Sequence, residues 1–219
     1  MAKVLKPAHF PIVRAWVDGW VISRGTPKPV RVPWGLRVDV GLPGHVARHI
    51  VADPTPETVR RLTATLTTPG TWLKLCAPAD AIAPLLPRPW LVKDHESMMT
   101  TRLAGLARMT PPGPPPGYAL AVTTRAGVTA ARLLTPAGEV AARGQFAVSG
   151  GTAVVDRVET APGHRRRGLG TVVMRTLATH AARRGARAGV LVATAEGQAL
   201  YETLGWTLHT PVTAAVLAA

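Results

Sequence analysis

The chain has 219 residues, enough to bury a full hydrophobic core as one large domain or two small ones. Its hydrophobic content of 47% and mean hydropathy of +0.15 exclude a disordered chain. No stretch approaches the roughly 18 apolar residues of a membrane span, and the opening MAKVLKPAHFPIV lacks the apolar run of a secretory signal, so a soluble, cytoplasmic protein is expected. The formal charge of +14 points to polyanionic partners such as phosphate-bearing ligands, an acidic carrier protein or RNA. The single cysteine, Cys76, cannot form an internal disulfide. It sits in TWLKLCAPAD with no adjacent histidine, the setting of a buried structural thiol rather than a nucleophile.

Residues 1–97 form a first lobe that carries five of the six tryptophans: Trp16, Trp20, Trp34, Trp72 and Trp90. Residues 12–23 and 36–40 read as strands separated by the turn Arg24-Gly25-Thr26-Pro27. Trp16 and Trp20, four apart on a strand, share a face, where they fill a core or wall a ligand site. His45 and His49 are also four apart, a spacing that on a helix would align two metal ligands. No third ligand stands nearby, so no metal is expected. Thr55 caps a helix over residues 56–66, residues 71–76 form a strand, and a further helix spans 79–86. Met98 and Met99 read as core.

Residues 98–117 read as a connection, because the prolines of PPGPPPG at 111–117 join neither helix nor sheet. Beyond it, residues 118–124, 128–134 and 139–149 read as antiparallel strands with turns at Arg125-Ala126-Gly127 and Pro136-Ala137-Gly138. The chain then turns on residues 154–175, VVDRVETAPGHRRRGLGTVVMR: an apolar strand, a basic turn and a helix start. Gly168 and Gly170 let the backbone bend sharply and approach a ligand. The unpaired amides and positive dipole end of the helix make an anion site, strengthened by Arg165, Arg166 and Arg167. A pyrophosphate fits it, although a solvated basic turn capping a helix reads equally well from RRRGLG by itself. Leu169, Val173, Leu177 and Ala181 give the helix one buried stripe. Residues 189–193 then read as a buried parallel strand, 197–206 as a short helix closed by Gly205, and 207–218 as the last strands.

Strand, Arg165-x-x-Gly168-x-Gly170 turn, helix, strand and then Leu200-Tyr201-x-x-x-Gly205-Trp206 together resemble the GNAT family of N-acetyltransferases, over roughly residues 118–210. The resemblance implies an α/β (α+β) fold with a mixed, mostly antiparallel central sheet flanked by helices. Residues 118–219 would be the catalytic domain and residues 1–97 a shortened, degenerate copy without its own phosphate loop, covering the sheet or shaping an acceptor pocket. Two positions depart from the family pattern: Thr194 stands where Asn is common, and Gly197 where Ala is common.

By the same resemblance, acetyl-coenzyme A or another acyl-coenzyme A is the donor, with no metal. Amides from Arg166 to Thr171, including Leu169, would hold the pyrophosphate beside Arg165. Val158 would donate to the thioester carbonyl, with Thr160 and Thr194 along the pantetheine arm. Tyr201 aligns with the general acid. Glu159 is the named base and Asp156 its rival; three apart on a strand, they should face opposite ways. The acceptor would be the amine of a small molecule, in specialised metabolism or antibiotic modification. A carrier-protein or tRNA-tethered donor, a nucleic-acid-binding module and a non-catalytic coenzyme A sensor are the alternatives. The protein is expected to be a monomer or homodimer.

Overall fold

The computed structural model describes residues 8–218. In chain order it runs α1 (Phe10–Arg24), β1 (Val30–Val32), β2 (Gly35–Leu42), β3 (His45–Val51), α2 (Pro56–Thr65), β4 (Thr71–Leu75), α3 (Ala79–Ile82) and β5 (Trp90–Arg102). The second half follows as β6 (Ala119–Arg125), β7 (Val128–Leu134), β8 (Val140–Ser149), β9 (Thr152–Thr160), α4 (Leu169–Arg183), β10 (Ala188–Thr194), α5 (Ala195–Thr203) and β11 (Thr207–Leu217). All eleven strands join one sheet, in the order β1-β2-β3-β4-β11-β5-β10-β9-β8-β7-β6. Among the described residues only β3–β4 and β9–β10 are parallel, each pair bridged by a helix, α2 or α4.

From the parallel pair onward the two halves repeat one element order, and they exchange their ends. In each, the parallel pair is followed by a short helix and a long antiparallel strand: α3 then β5, α5 then β11. Yet β5 pairs with β10 and β11 with β4, so each half completes the other's sheet. The long β5–β11 pairing forms the seam.

Residues 12–23 are a helix, not the strand expected from their valines and tryptophans. The buried positions Val13, Trp16, Val17, Trp20 and Val21 recur at three and one, the period of a helix face. Pro11 sits in the first turn, and Gly25 closes the helix at φ 64°. Trp16 and Trp20 still share a face, because a spacing of four is in phase on helix and strand alike. His45 and His49 lie on β3 and not on a helix. His49 is buried and its Nδ1 accepts a hydrogen bond from Trp34 Nε1 at 3.0 Å, a structural use of the ring. Met98 and Met99 are fully buried on β5, whose residues run through the start of the expected connection. Cys76 is buried, and burial pushes its thiol up to about 12, consistent with an inert side chain.

Successive residues of the central strands feed opposite cores. Val154, Val190 and Met98 pack under α1, whereas Val155, Leu191 and Met99 pack under α4 with Val173 and Leu177. Helix α1 lies so close to the sheet that a Cβ at Gly19 would stand 2.1 Å from Val154 Cγ2. Among the described residues, no helix is long and apolar enough to cross a membrane.

Candidate active site

The site is built where two parallel strands stop pairing. Register between β10 and β9 runs only from Ala188↔Thr152 to Val190↔Val154. Past that point β10 stays with β5 as far as Thr194↔Glu96, while β9 stays with β8. A bulge helps to pull β9 aside. Between the pairs Gln145↔Asp156 and Arg143↔Glu159, β9 takes three steps to two on β8, with Arg157 at φ 54°.

The wedge opens into a cleft of about 650 Å³ between β9, the turn that follows it, and helices α4 and α5. In that turn Arg166 is at φ 62° and Gly168, at φ 75°, is the N-cap of α4. No side chain caps the helix and its first turn holds no acid, so the leading amides and the dipole face the cleft with Gly168, Leu169, Gly170 and Thr171 on its wall. Gly170 keeps this wall bare: a Cβ there would stand 3.0 Å from Leu200 Cδ2 and 3.8 Å from Thr160 Oγ1. Bare backbone, an uncapped helix start and flanking guanidiniums make a cradle that fits a pyrophosphate.

Of the residues expected from sequence, Val158, Glu159, Thr160, Arg165, Arg166, Gly168, Leu169, Gly170, Thr171, Thr194 and Tyr201 all border the cleft. Arg167 does not; its Nη1 donates to Tyr118 Oη at 3.2 Å, and Tyr118 Oη is in turn 2.9 Å from His164 Nδ1. Asp156 does not either. It pairs with Arg24 of α1 at 2.5 Å and accepts from Ser23 Oγ at 3.1 Å. Glu159 is exposed and paired with Arg143 at 2.7 Å. Gln145 also bonds Ser23, and Arg143 stands two residues from it on the same strand face. The bulge has therefore reset the alternation, and both carboxylates pair toward the α1 side instead of facing opposite ways.

Tyr201 is buried on α5 against Trp206, and burial, then the nearby charge of Asp156, pushes its phenol up to about 12. It stays protonated throughout the neutral range and so remains a donor. Thr194 caps α5, its Oγ1 accepting from the amide of Gly197 at 3.2 Å. Gly197, one of the two departures from the family pattern, is a point of contact: a Cβ there would lie 3.1 Å from Tyr201 Cε2, so its bareness gives the tyrosine ring room. Glu196 was also missed. It pairs with Arg165 at 3.2 Å across the cleft mouth, a contact between the turn before α4 and the start of α5 that sequence spacing could not suggest. Among the described residues no group of three His, Cys, Asp or Glu is placed to hold a metal.

The described residues thus present an eleven-stranded, mostly antiparallel sheet in which two parallel strands part over a cleft walled by the uncapped start of a helix. The sequence profile of the acetyltransferase (GNAT) family matches residues 81–206, and the chain belongs to that family. Members of this family transfer acyl groups from acyl-coenzyme A to amines. No match is found among curated proteins. Among solved structures the fold is similar to a GCN5-related N-acetyltransferase from Kribbella flavida (18% identity, TM-score 0.60, 99% of this chain and 97% of that one). It is also similar to a GCN5-related N-acetyltransferase-like protein from Streptococcus suis (14% identity, TM-score 0.58, 94% and 96%). A third is a tandem GNAT protein from the clavulanic acid biosynthesis pathway (13% identity, TM-score 0.51, 74% and 67%).

Proposed function

We propose that the protein is an N-acyltransferase that moves an acetyl or other small acyl group from acyl-coenzyme A to the amine of a small molecule of specialised metabolism. The observation that carries this reading is the wedge between β9 and β10 opening directly onto the uncapped start of α4. We take residues 118–219 as the catalytic unit and residues 1–97 as a degenerate copy of it; the shared element order and the exchanged β5 and β11 support that division.

Coenzyme A supplies an activated thioester. The amides from Arg166 to Thr171 and the Arg165 guanidinium hold its diphosphate, and Thr160 and Thr194 border the arm. The Val158 amide, freed by the bulge, donates to the thioester carbonyl oxygen as negative charge grows there. The amine nitrogen, once neutral, attacks the carbonyl carbon; a C–N bond forms, the C–S bond breaks, and the proton the nitrogen sheds passes to water or a carboxylate. Tyr201 gives its proton to the departing sulfur and regains one from solvent. A phenol at about 12 is a weaker acid than a free thiol, so Tyr201 acts first as a hydrogen-bond donor that steadies the developing thiolate. Glu159 and Asp156 are the carboxylates of β9 past the point where it leaves β10, and both are already paired with arginine, Arg143 and Arg24.

The test is product analysis by mass spectrometry with acetyl-coenzyme A and an amine library, beside calorimetric binding of coenzyme A. Acetylated amine together with saturable binding supports the reading; absence of coenzyme A binding overturns it. The net charge of +14 favours one variant, in which an acidic acyl carrier protein presents the thioester. Transfer from acylated carrier faster than from acyl-coenzyme A would establish that variant.

A further inference from the structure

A second cavity, of about 120 Å³, opens on the α1 face of the sheet, over the stretch of β9 and β10 just past the point where they part. Its walls come from both halves of the chain and are strongly charged. Arg24 is paired with Asp156, and Lys74 with Glu96. Arg48 is the third cation. It has no carboxylate partner among the described residues, and its Nε is buried without a hydrogen bond. Its guanidinium carbon lies 4.3 Å from the centroid of the Trp20 ring.

Among the described side chains of its wall, the cations Arg24, Arg48 and Lys74 stand with the carboxylates Asp156 and Glu96, and Arg48 lies outside both ion pairs, feeling those carboxylates only at longer range. Burial lowers Arg48 to about 10, which leaves it charged at neutral pH. The Trp20 indole holds the guanidinium by a cation–π contact, and a guanidinium can take a carboxylate by two parallel hydrogen bonds. The space is too small for a nucleotide and suits a compact organic acid.

Building on the acyl-transfer reading above, we propose that this cavity is the acceptor site and that the acceptor is a small amine bearing a carboxylate, which Arg48 holds. Glu96 and Asp156 keep lone pairs for the ammonium end. Asp156 sits on the strand that borders both cavities, so an amine drawn toward it stands at the wedge through which the thioester is reached. There the ammonium sheds its proton and the nitrogen attacks, as in the transfer described above. The N-terminal half thereby supplies specificity: Arg48 from β3 on a ring from α1.

The full-length protein with acetyl-coenzyme A is given amines in pairs, each skeleton as its carboxylate and as its carboxamide: glycine and glycinamide, β-alanine and its amide, and the common amino acids likewise. A site that pairs a charge rejects the uncharged twin, so kcat/KM should favour the carboxylate by about 30-fold or more. In Arg48→Met that preference should shrink to within about threefold, while coenzyme A affinity by calorimetry stays unchanged; Arg48→Lys should keep part of it. Equal turnover of the twins, preference for the amides, a preference that survives Arg48→Met, or no turnover of either twin while coenzyme A binds would each overturn the proposal. If Arg48→Met does not fold, the wild-type comparison decides by itself. Loss of coenzyme A binding in the wild type would instead overturn the transferase reading.

Discussion

Replacing Gly170 by alanine separates stability from binding in a way that few positions allow. Gly170 is the second residue of α4, and its φ is not in the left-handed region, so the backbone accepts a side chain there. The added methyl meets only the end of a flexible leucine, Leu200 Cδ2 at 3.0 Å. Alanine gains up to about 1 kcal/mol over glycine in a helix, and a displaced leucine end gives back part of it, so the variant should fold within about 1 kcal/mol of wild type. The same methyl projects into the cleft where the helix amides must close on a diphosphate. Lengthening one charge-assisted hydrogen bond costs about 1.5–3 kcal/mol, a loss of roughly 10- to 150-fold in coenzyme A affinity. Urea unfolding and calorimetric titration of coenzyme A measure the two quantities, with Gly163→Ala as a control whose Cβ meets nothing within 4 Å. A stable Gly170→Ala variant that binds coenzyme A as tightly as wild type would refute the cradle.

Gly19→Ala should destabilise the protein by about 1–3 kcal/mol in urea unfolding, since its Cβ would lie 2.1 Å from Val154 Cγ2 and α1 must lift from β9; an unchanged midpoint would remove that close packing. Tyr201→Phe keeps the ring packed on Trp206 and should lower kcat by about 10²- to 10⁴-fold with coenzyme A affinity unchanged. Because the phenol of wild type is raised to about 12, its donor form persists as pH climbs, and the pH–rate profile should show no downturn near pH 10; one there would count against the assignment. Burial, then Arg37, lowers His49 from 6.5 to about 4, so the unfolded chain takes up a proton there before the folded one does. Stability should therefore be full above pH 6.5 and fall by about 2–3 kcal/mol as pH drops toward 4. His49→Gln should flatten that fall, and an unaltered slope would exclude His49 as its source.

The candidate cleft was largely legible because its parts are close in sequence. Arg165, Gly168 and Gly170 sit on one turn, and the strand before it and helix after it announce themselves by apolar period. Even Thr194 and Tyr201, a strand away, fall within one continuous stretch that ends at Trp206. Where the reading failed, local composition competed with period. Residues 12–23 are rich in valine, isoleucine and tryptophan, which favour strands, but the buried set 13, 16, 17, 20 and 21 keeps helical phase, and packing against the sheet decides for the helix. Strand β5 escaped notice because WLVKDHESMMTTR has no clean alternation; a strand between two others, covered on both faces and charged at one end, does not need one.

By itself, the order of residues determined the glycine-rich basic turn, the helix that starts from it and the short helix that carries Tyr201, because each depends on contacts within a few residues or one turn. Only the tertiary structure decided that β5 and β11 trade places across the seam, that a bulge puts Asp156 and Glu159 on one side, and that Arg48, Trp20 and two ion pairs from five separate elements meet in one small cavity. Those features come from residues far apart in the chain, such as Arg24 and Asp156, 132 positions apart, brought together by pairing and burial rather than by any local preference of the chain.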